Sequence, residues 1–201
     1  MPINPRPPSP TARTRVVGLV LGLALVAVPS AGGAAQPSAS TPPGTAPALR
    51  AQVEAQPYRI GDWAGFLPIG LTTLDILMLG EGPDTGDLDV SQPGLFIAVS
   101  ASPSPATSAR DAFARRALEF VALVTGVEAG SAGTVRRGGT EWHETVGRGR
   151  SLSGREVVVF QSIRFGAPGT PYLRVVGTAP AERRADVLPR FRRVARSITP
   201  R

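Results

Sequence analysis

A chain of 201 residues without cysteine has no disulfides, no thiolate metal sites and no cysteine nucleophile. All 22 of its cationic side chains are arginine, against 15 acids and one histidine, for a formal net charge of +7. Without lysine there is no lysine-bearing phosphate loop, and the missing cysteine also excludes lipid attachment at a bacterial signal peptide.

The absence of lysine beside 23 Gly and 21 Pro points to codon bias in a GC-rich genome more than to phosphate chemistry. The charge is uneven: 2 Arg against 7 acids from Ser40 to Ser100, then 17 Arg against 8 acids from Ala101 to Arg201. Such asymmetry can mark an anionic partner. Nucleic acid is not the expected one, because the arginines do not form a stripe interleaved with aromatics.

The chain opens with a basic stretch holding Arg6, Arg13 and Arg15, and the apolar run Val16 to Val28 follows. Pro29 and small residues through Ala35 come next. That order predicts a signal peptide over residues 1–35, cleaved close to Ala35. A run of 13 apolar residues falls short of the roughly 18 a spanning helix needs, so no stable membrane span is expected after cleavage. The mature chain of about 165 residues is expected to be secreted or periplasmic.

Residues 36–57 are rich in Pro, Ala and Ser and predict a disordered linker ahead of a single domain over 58–201. Leu71 to Leu79 and Gly94 to Ser100 predict strands. Ser108 to Val124 predicts a helix: Ser108 and Asp111 fit a capping box, Phe113, Ala117, Phe120, Val121 and Val124 form a stripe, and Gly126 stops it. Asp111–Arg115 and Arg115–Glu119 predict ion pairs on its outer side.

Thr134 to Arg137, Thr140 to Val146, Arg155 to Phe165 and Tyr172 to Thr178 predict an antiparallel meander, with a tight turn at Gly138-Gly139 and a longer one over Gly166 to Pro171. A closing helix follows Pro180, with Val187, Leu188, Phe191, Val194, Ala195 and Ile198 inward, Arg192 outward and a kink or break at Pro189. The fold class is therefore α+β: an antiparallel sheet with one mid-domain helix and one C-terminal helix packed on it as a sandwich.

The segment Tyr172-Leu173-Arg174-Val175-Val176-Gly177, leading to a helix that ends Phe191-Arg192-Arg193-Val194-Ala195-Arg196-Ser197-Ile198, resembles the last strand and helix of the PsbP-like fold. Photosystem extrinsic subunits, a Ran-binding import factor and small exported bacterial proteins share that fold. The resemblance spans Tyr58 to Arg201 in element order and the last thirty residues in sequence. It implies a binding or accessory module with no shared catalytic residues.

The candidate chemistry is sparse. His143, in Glu141-Trp142-His143-Glu144, is the one imidazole available as a general base; its surroundings read as a strand with Trp142 inward and His143 on a solvated face or edge. No G-x-S-x-G turn accompanies it. Glu81, Asp84, Asp87 and Asp89 lack the spacing of a calcium loop and read as a solvated acidic turn. Gly147-Arg148-Gly149-Arg150 and Arg155 read as a mobile basic hairpin tip. Trp63, Trp142, Tyr58 and Tyr172 are expected to fill the core.

The first functional expectation is a non-catalytic module binding a protein or envelope component, with Arg148, Arg150, Arg155, Trp142 and His143 as partner-binding candidates and no catalytic, metal or cofactor site. The alternatives are a hydrolase using His143 with a nearby carboxylate, and an Arg-rich domain binding an anionic polymer. Under the first, His143→Ala leaves the protein folded and its role intact.

Overall fold

The structure, a computed structural model, describes residues 41–82, 90–137 and 140–201. The export segment, residues 36–40, the acids Asp84, Asp87 and Asp89, and Gly138-Gly139 lie outside the described residues. The described chain forms α1 (Pro47–Glu54), β1 (Tyr58–Ile60), β2 (Leu67–Leu71), β3 (Leu77–Gly80) and β4 (Gly94–Ser100). It continues with α2 (Arg110–Leu118), β5 (Val124–Arg137), β6 (Thr140–Ser151), β7 (Glu156–Arg164), β8 (Tyr172–Pro180), α3 (Arg184–Ser197) and β9 (Ile198–Pro200).

Seven strands form one antiparallel sheet in the order β2-β3-β4-β8-β7-β6-β5, and β1 pairs with β9 in a separate ribbon. Side-chain alternation divides the sheet between two cores. Leu95, Ile97, Val158 and Phe160 face α3, where Val187, Leu188, Phe191, Val194 and Ala195 meet them together with Trp142. The intervening Phe96, Val157 and Val159 face the opposite side with Leu118 and Val121, and there Ile163, Phe165 and Tyr172 pack under α2. The α+β sandwich therefore carries its two expected helices on opposite faces of one sheet. Tyr58, Trp142 and Tyr172 are buried and Trp63 packs against the core, as expected of its aromatics.

Several local expectations need correction. The stretch read as a linker contains α1, whose Val53 is buried and whose Leu49 packs beside it. Two apolar residues four apart are too weak a stripe to hold a two-turn helix in isolation, and the main core supplies what propensity does not. The run Leu71 to Leu79 is two strand segments separated by a turn, not one strand, with Asp75 at φ 55.

The mid-domain helix ends at Leu118, six residues early, after a short 3-10 turn at Thr107–Ala109. No side chain caps its N-terminus. Its C-terminal end is closed by the sheet: the Arg174 guanidinium donates to the Ala117 carbonyl at 2.6 Å and to the Gln161 side-chain oxygen at 2.9 Å, while the Gln161 amide donates to Ala114 O at 2.8 Å. The Ala117 carbonyl also accepts from the Phe120 N–H at 3.2 Å, so these side chains brace the last turn against the sheet as additional donors. Phe120 is consequently exposed and Val124 begins β5, with Gly126 inside that strand. Among the described residues neither expected pair on Arg115 forms.

Pro189 does not split the last helix, which runs unbroken from Arg184 to Ser197. Five buried apolar residues on one face hold it against the loss of one backbone hydrogen bond. Ile198 keeps its inward position, but as the first residue of β9.

Beyond β3, Glu81 ties the sheet to α3. It accepts from Arg183 at 3.1 and 3.2 Å and from Arg190, and Arg183 also meets Asp186 at 2.6 Å. The sole described acid of the expected solvated turn is therefore an anchored one. Burial pushes the Glu81 carboxyl up, but the hydrogen bonds from Arg183 and Arg190 outweigh it and hold the group below the ordinary carboxylate range. A carboxyl lowered on folding adds stability that is fully present above its unfolded value and lost as pH falls through its folded value. Thermal unfolding across pH is expected to show Glu81→Gln less stable than wild type at neutral pH, with the gap closing in acid.

Candidate functional site

β6 sends successive side chains to opposite faces, and this alternation sorts the candidate residues. Trp142 and Glu144 turn towards α3; Glu141 and His143 turn towards α2. The register places His143 opposite Ile163 and Thr134, and Glu144 opposite Ser162.

His143 is 7% exposed, not on a solvated face. Its Nδ1 lies 3.0 Å from Asp111 Oδ1 on α2, and its Nε2 lies 3.2 Å from Glu141 Oε1. The Phe165 ring stands edge-on at 5.1 Å between centroids. Asp111, expected to cap α2, is drawn instead to the imidazole. Glu141 is held below the ordinary carboxylate range chiefly by its hydrogen bond from Arg136, with the His143 hydrogen bond adding to this. A general base needs one ring nitrogen free to receive a proton from a substrate or nucleophile. Here both nitrogens are taken by carboxylates, and the neighbouring cleft against α2 is only about 110 Å³.

The arrangement binds α2 to the sheet. His143→Ala is therefore expected to stay folded but lose about 1–3 kcal/mol of stability through a buried cavity and two broken contacts. Calorimetry of the variant checks this.

On the other face, Glu144 is nearly buried and receives Arg192 at 3.1 Å and Arg196 at 2.7 Å. Arg192 is therefore not the free outward residue that helical periodicity suggested. Trp142 is 2% exposed, with the Arg164 guanidinium 5.6 Å over its ring. Neither Trp142 nor His143 presents a surface to a partner.

Arg148 and Arg150 lie in the middle and end of β6 and not at a hairpin tip, which is formed by Leu152 to Arg155. Their glycines have a packing reason. A Cβ on Gly147 would come 2.6 Å from the Glu128 carbonyl oxygen, where the bulged β5 backbone crosses. The Gly-Arg-Gly-Arg run is thus strand alternation: small residues against β5 and α2, arginines on the α3 side. Arg148 donates to Glu128 Oε2 at 2.8 and 3.0 Å, and Arg150 lies 3.7 Å from Glu156 while donating to Gly154 O at 3.1 Å. Arg155 is exposed at the tip.

Arg148 and Arg150 form one wall of an open groove of about 640 Å³, with Glu128, Glu156, Val158 and, across it, Ala181 and Arg184 at the start of α3. Sequence reading missed Arg184, Glu128 and Glu156, because their nearness depends on strand register and on where α3 crosses the sheet. Arg148 and Arg150 two apart in a strand were the legible part of the signal. Among the described residues, no group of three His, Asp or Glu is placed to hold a metal.

The sheet order, the two helices on its opposite faces and the strand-to-helix ending define a PsbP-like α+β domain. Solved structures share it, among them two with the following likeness. The crystal structure of LpqN from Mycobacterium tuberculosis, described as involved in cell envelope biogenesis, superposes with a TM-score of 0.53 at 11% identity, covering 71% of this chain and 82% of LpqN. The solution structure of cyanobacterial PsbP (CyanoP) from Synechocystis sp. PCC 6803 superposes with a TM-score of 0.50 at 15% identity, covering 72% of this chain and 87% of that one. At these identities the likeness establishes the fold alone. No family model and no curated protein sequence matches the chain.

Proposed function

We propose that this chain is a non-catalytic binding or accessory module, secreted or periplasmic, whose partner is a protein or another component of the cell envelope. The observation that carries this reading is the pairing of open and closed sites: a wide groove walled by arginines stands open, while the one imidazole has both nitrogens engaged. The hydrolase alternative needs His143 beside a hydroxyl nucleophile. Thr134 and Thr145 do line its small cleft, but both ring nitrogens meet carboxylates and neither threonine hydroxyl is bonded to the imidazole. The anionic-polymer alternative is weakened by Glu128 and Glu156, which accompany Arg148 and Arg150.

The envelope location is supported by the basic, apolar and small-residue order of residues 1–35, and by the envelope role given for LpqN. Among the described residues no helix is long and apolar enough to cross a membrane. Mass spectrometry of the exported protein is expected to give an N-terminus close to Ala35; an intact Met1 overturns that part. A crosslinking pull-down of the mature protein from its own envelope fraction is expected to capture a defined partner, equally with wild type and His143→Ala. Loss of function in His143→Ala, measured at a temperature where the variant is still fully folded, would overturn the module reading in favour of an enzyme.

A further inference from the structure

The groove between β6 and the start of α3 has features that select among ligands. Its guanidinium groups are not equivalent. Arg148 is engaged by Glu128 and Arg150 is near Glu156, whereas Arg184 has no carboxylate partner among the described residues and is exposed. Three guanidinium groups and two carboxylates leave the groove a single net positive charge. Its volume of about 640 Å³ is within the range of ligand clefts, and the half-buried Ala181 lines it beside the charges, while Val158, also at the groove, is buried in the main core.

Those features separate ligand classes. A polyanion gains from clustered, unopposed cations; here two fixed carboxylates would repel it, and the aliphatic lining would give it nothing. A lone carboxylate next to an apolar side chain is matched on both counts. Arg184 offers it a planar fork of N–H donors, the geometry that favours paired hydrogen bonds to a carboxylate. The spacing also bears on shape. Arg148 and Arg150, two apart on a strand, are separated by about 7 Å along it, the period at which an extended chain presents side chains to one side.

We propose that this groove receives an extended segment of a partner protein that carries a carboxylate beside an aliphatic side chain, with Arg184 as the anchor of that carboxylate. The inference rests on the binding-module reading and names the partner chemistry at its groove. Arg148 and Arg150, braced by Glu128 and Glu156, set the rim along which the segment lies. Arg155 at the hairpin tip is outside the groove and takes no part.

The test is an NMR titration of the mature protein with a capped hexapeptide of valines carrying a single central glutamate, and with its valine–glutamine counterpart. Saturable shifts are expected at the amides of Gly126, Gly149, Val158 and Ala181, the backbone around the groove. Arg184→Gln is expected to weaken binding about tenfold, the loss of roughly one charge-assisted contact, and raised salt to weaken it further. Arg155→Gln is expected to bind as wild type. Equal binding of the valine–glutamine peptide, unchanged binding by Arg184→Gln, or tighter binding of polyphosphate that displaces the peptide would each overturn the proposal, the last in favour of an envelope polyanion. If the envelope crosslinking captures its partner equally through Arg184→Gln, the groove assignment falls while the module reading stands. If no partner is captured at all, the module reading falls and the titration still decides what the groove binds.

Discussion

Replacing Phe191 by alanine is expected to cost the domain about 3–5 kcal/mol, the range for losing a fully buried aromatic ring. Phe191 has no exposed surface. It stacks on Phe66 at 5.6 Å and lies 5.9 Å from Phe160, so one ring joins α3, the sheet and the loop before β2. The fit is close enough to constrain the backbone opposite: a Cβ on Gly177 of β8 would come 2.6 Å from the Phe191 ring. Surroundings this dense cannot collapse fully into the space left by the ring, so the cavity term adds to the lost burial. The control is Arg193→Ala, two residues along and on the solvent side. Its side chain is 61% exposed and among the described residues pairs only with Asp62, itself 40% exposed, and such a pair contributes about 0–1 kcal/mol. Chemical denaturation of both variants checks the contrast; equal losses would place the wrong face of α3 against the sheet.

Removing Glu144 is expected to cost about 2–3 kcal/mol, below the usual figure for breaking a fully buried ion pair because its partners are partly solvated. Its carboxylate side chain is 8% exposed, while Arg192 and Arg196 are 35% and 25% exposed. Glu144→Ala leaves two guanidinium groups facing each other without the anion between them, at the point where α3 leans on β6. Glu144→Gln keeps the shape and part of the hydrogen bonding, and is expected to lose less. The cross-strand pair of Arg148 with Glu128 is the comparison: at 79% and 67% exposure, Glu128→Ala is expected to change stability by no more than about 1 kcal/mol. Urea denaturation of the three variants separates these cases. A Glu144→Ala loss no larger than that of Glu128→Ala would show that the carboxylate is not structurally committed.

The candidate site was legible only in part. Arg148 and Arg150 could be singled out from sequence because they recur two apart among glycines, but the run looked like a loop when read without its partner strand. It is a strand because β5 extends back to Val124 and pairs with it through two bulges, a long-range fact absent from local propensity. His143 was legible as the sole imidazole; its burial was not, since that required knowing that Asp111 and α2 close over that face. Trp142 was correctly placed inward, where almost none of its surface is exposed.

By itself the sequence determined the features that depend on short range or on counting. Composition excluded disulfides and a lysine-bearing phosphate loop. The stripe from Val187 to Ala195 declared the closing helix and its inner face, because burial of one apolar face recurs at the helical period whatever lies opposite. Successive β-rich runs joined by turn residues declared the meander β5 to β8, since short connections force antiparallel neighbours. Tertiary structure alone decided the rest. It held α1 through Val53, braced the last turn of α2 with Arg174 and Gln161, and kept α3 continuous through Pro189. It also turned the basic run of β6 into the wall of a groove facing Arg184. Each of these outcomes depends on groups far apart in the chain meeting in space, and the free energy of those meetings exceeds the fraction of a kilocalorie per residue that local preference supplies.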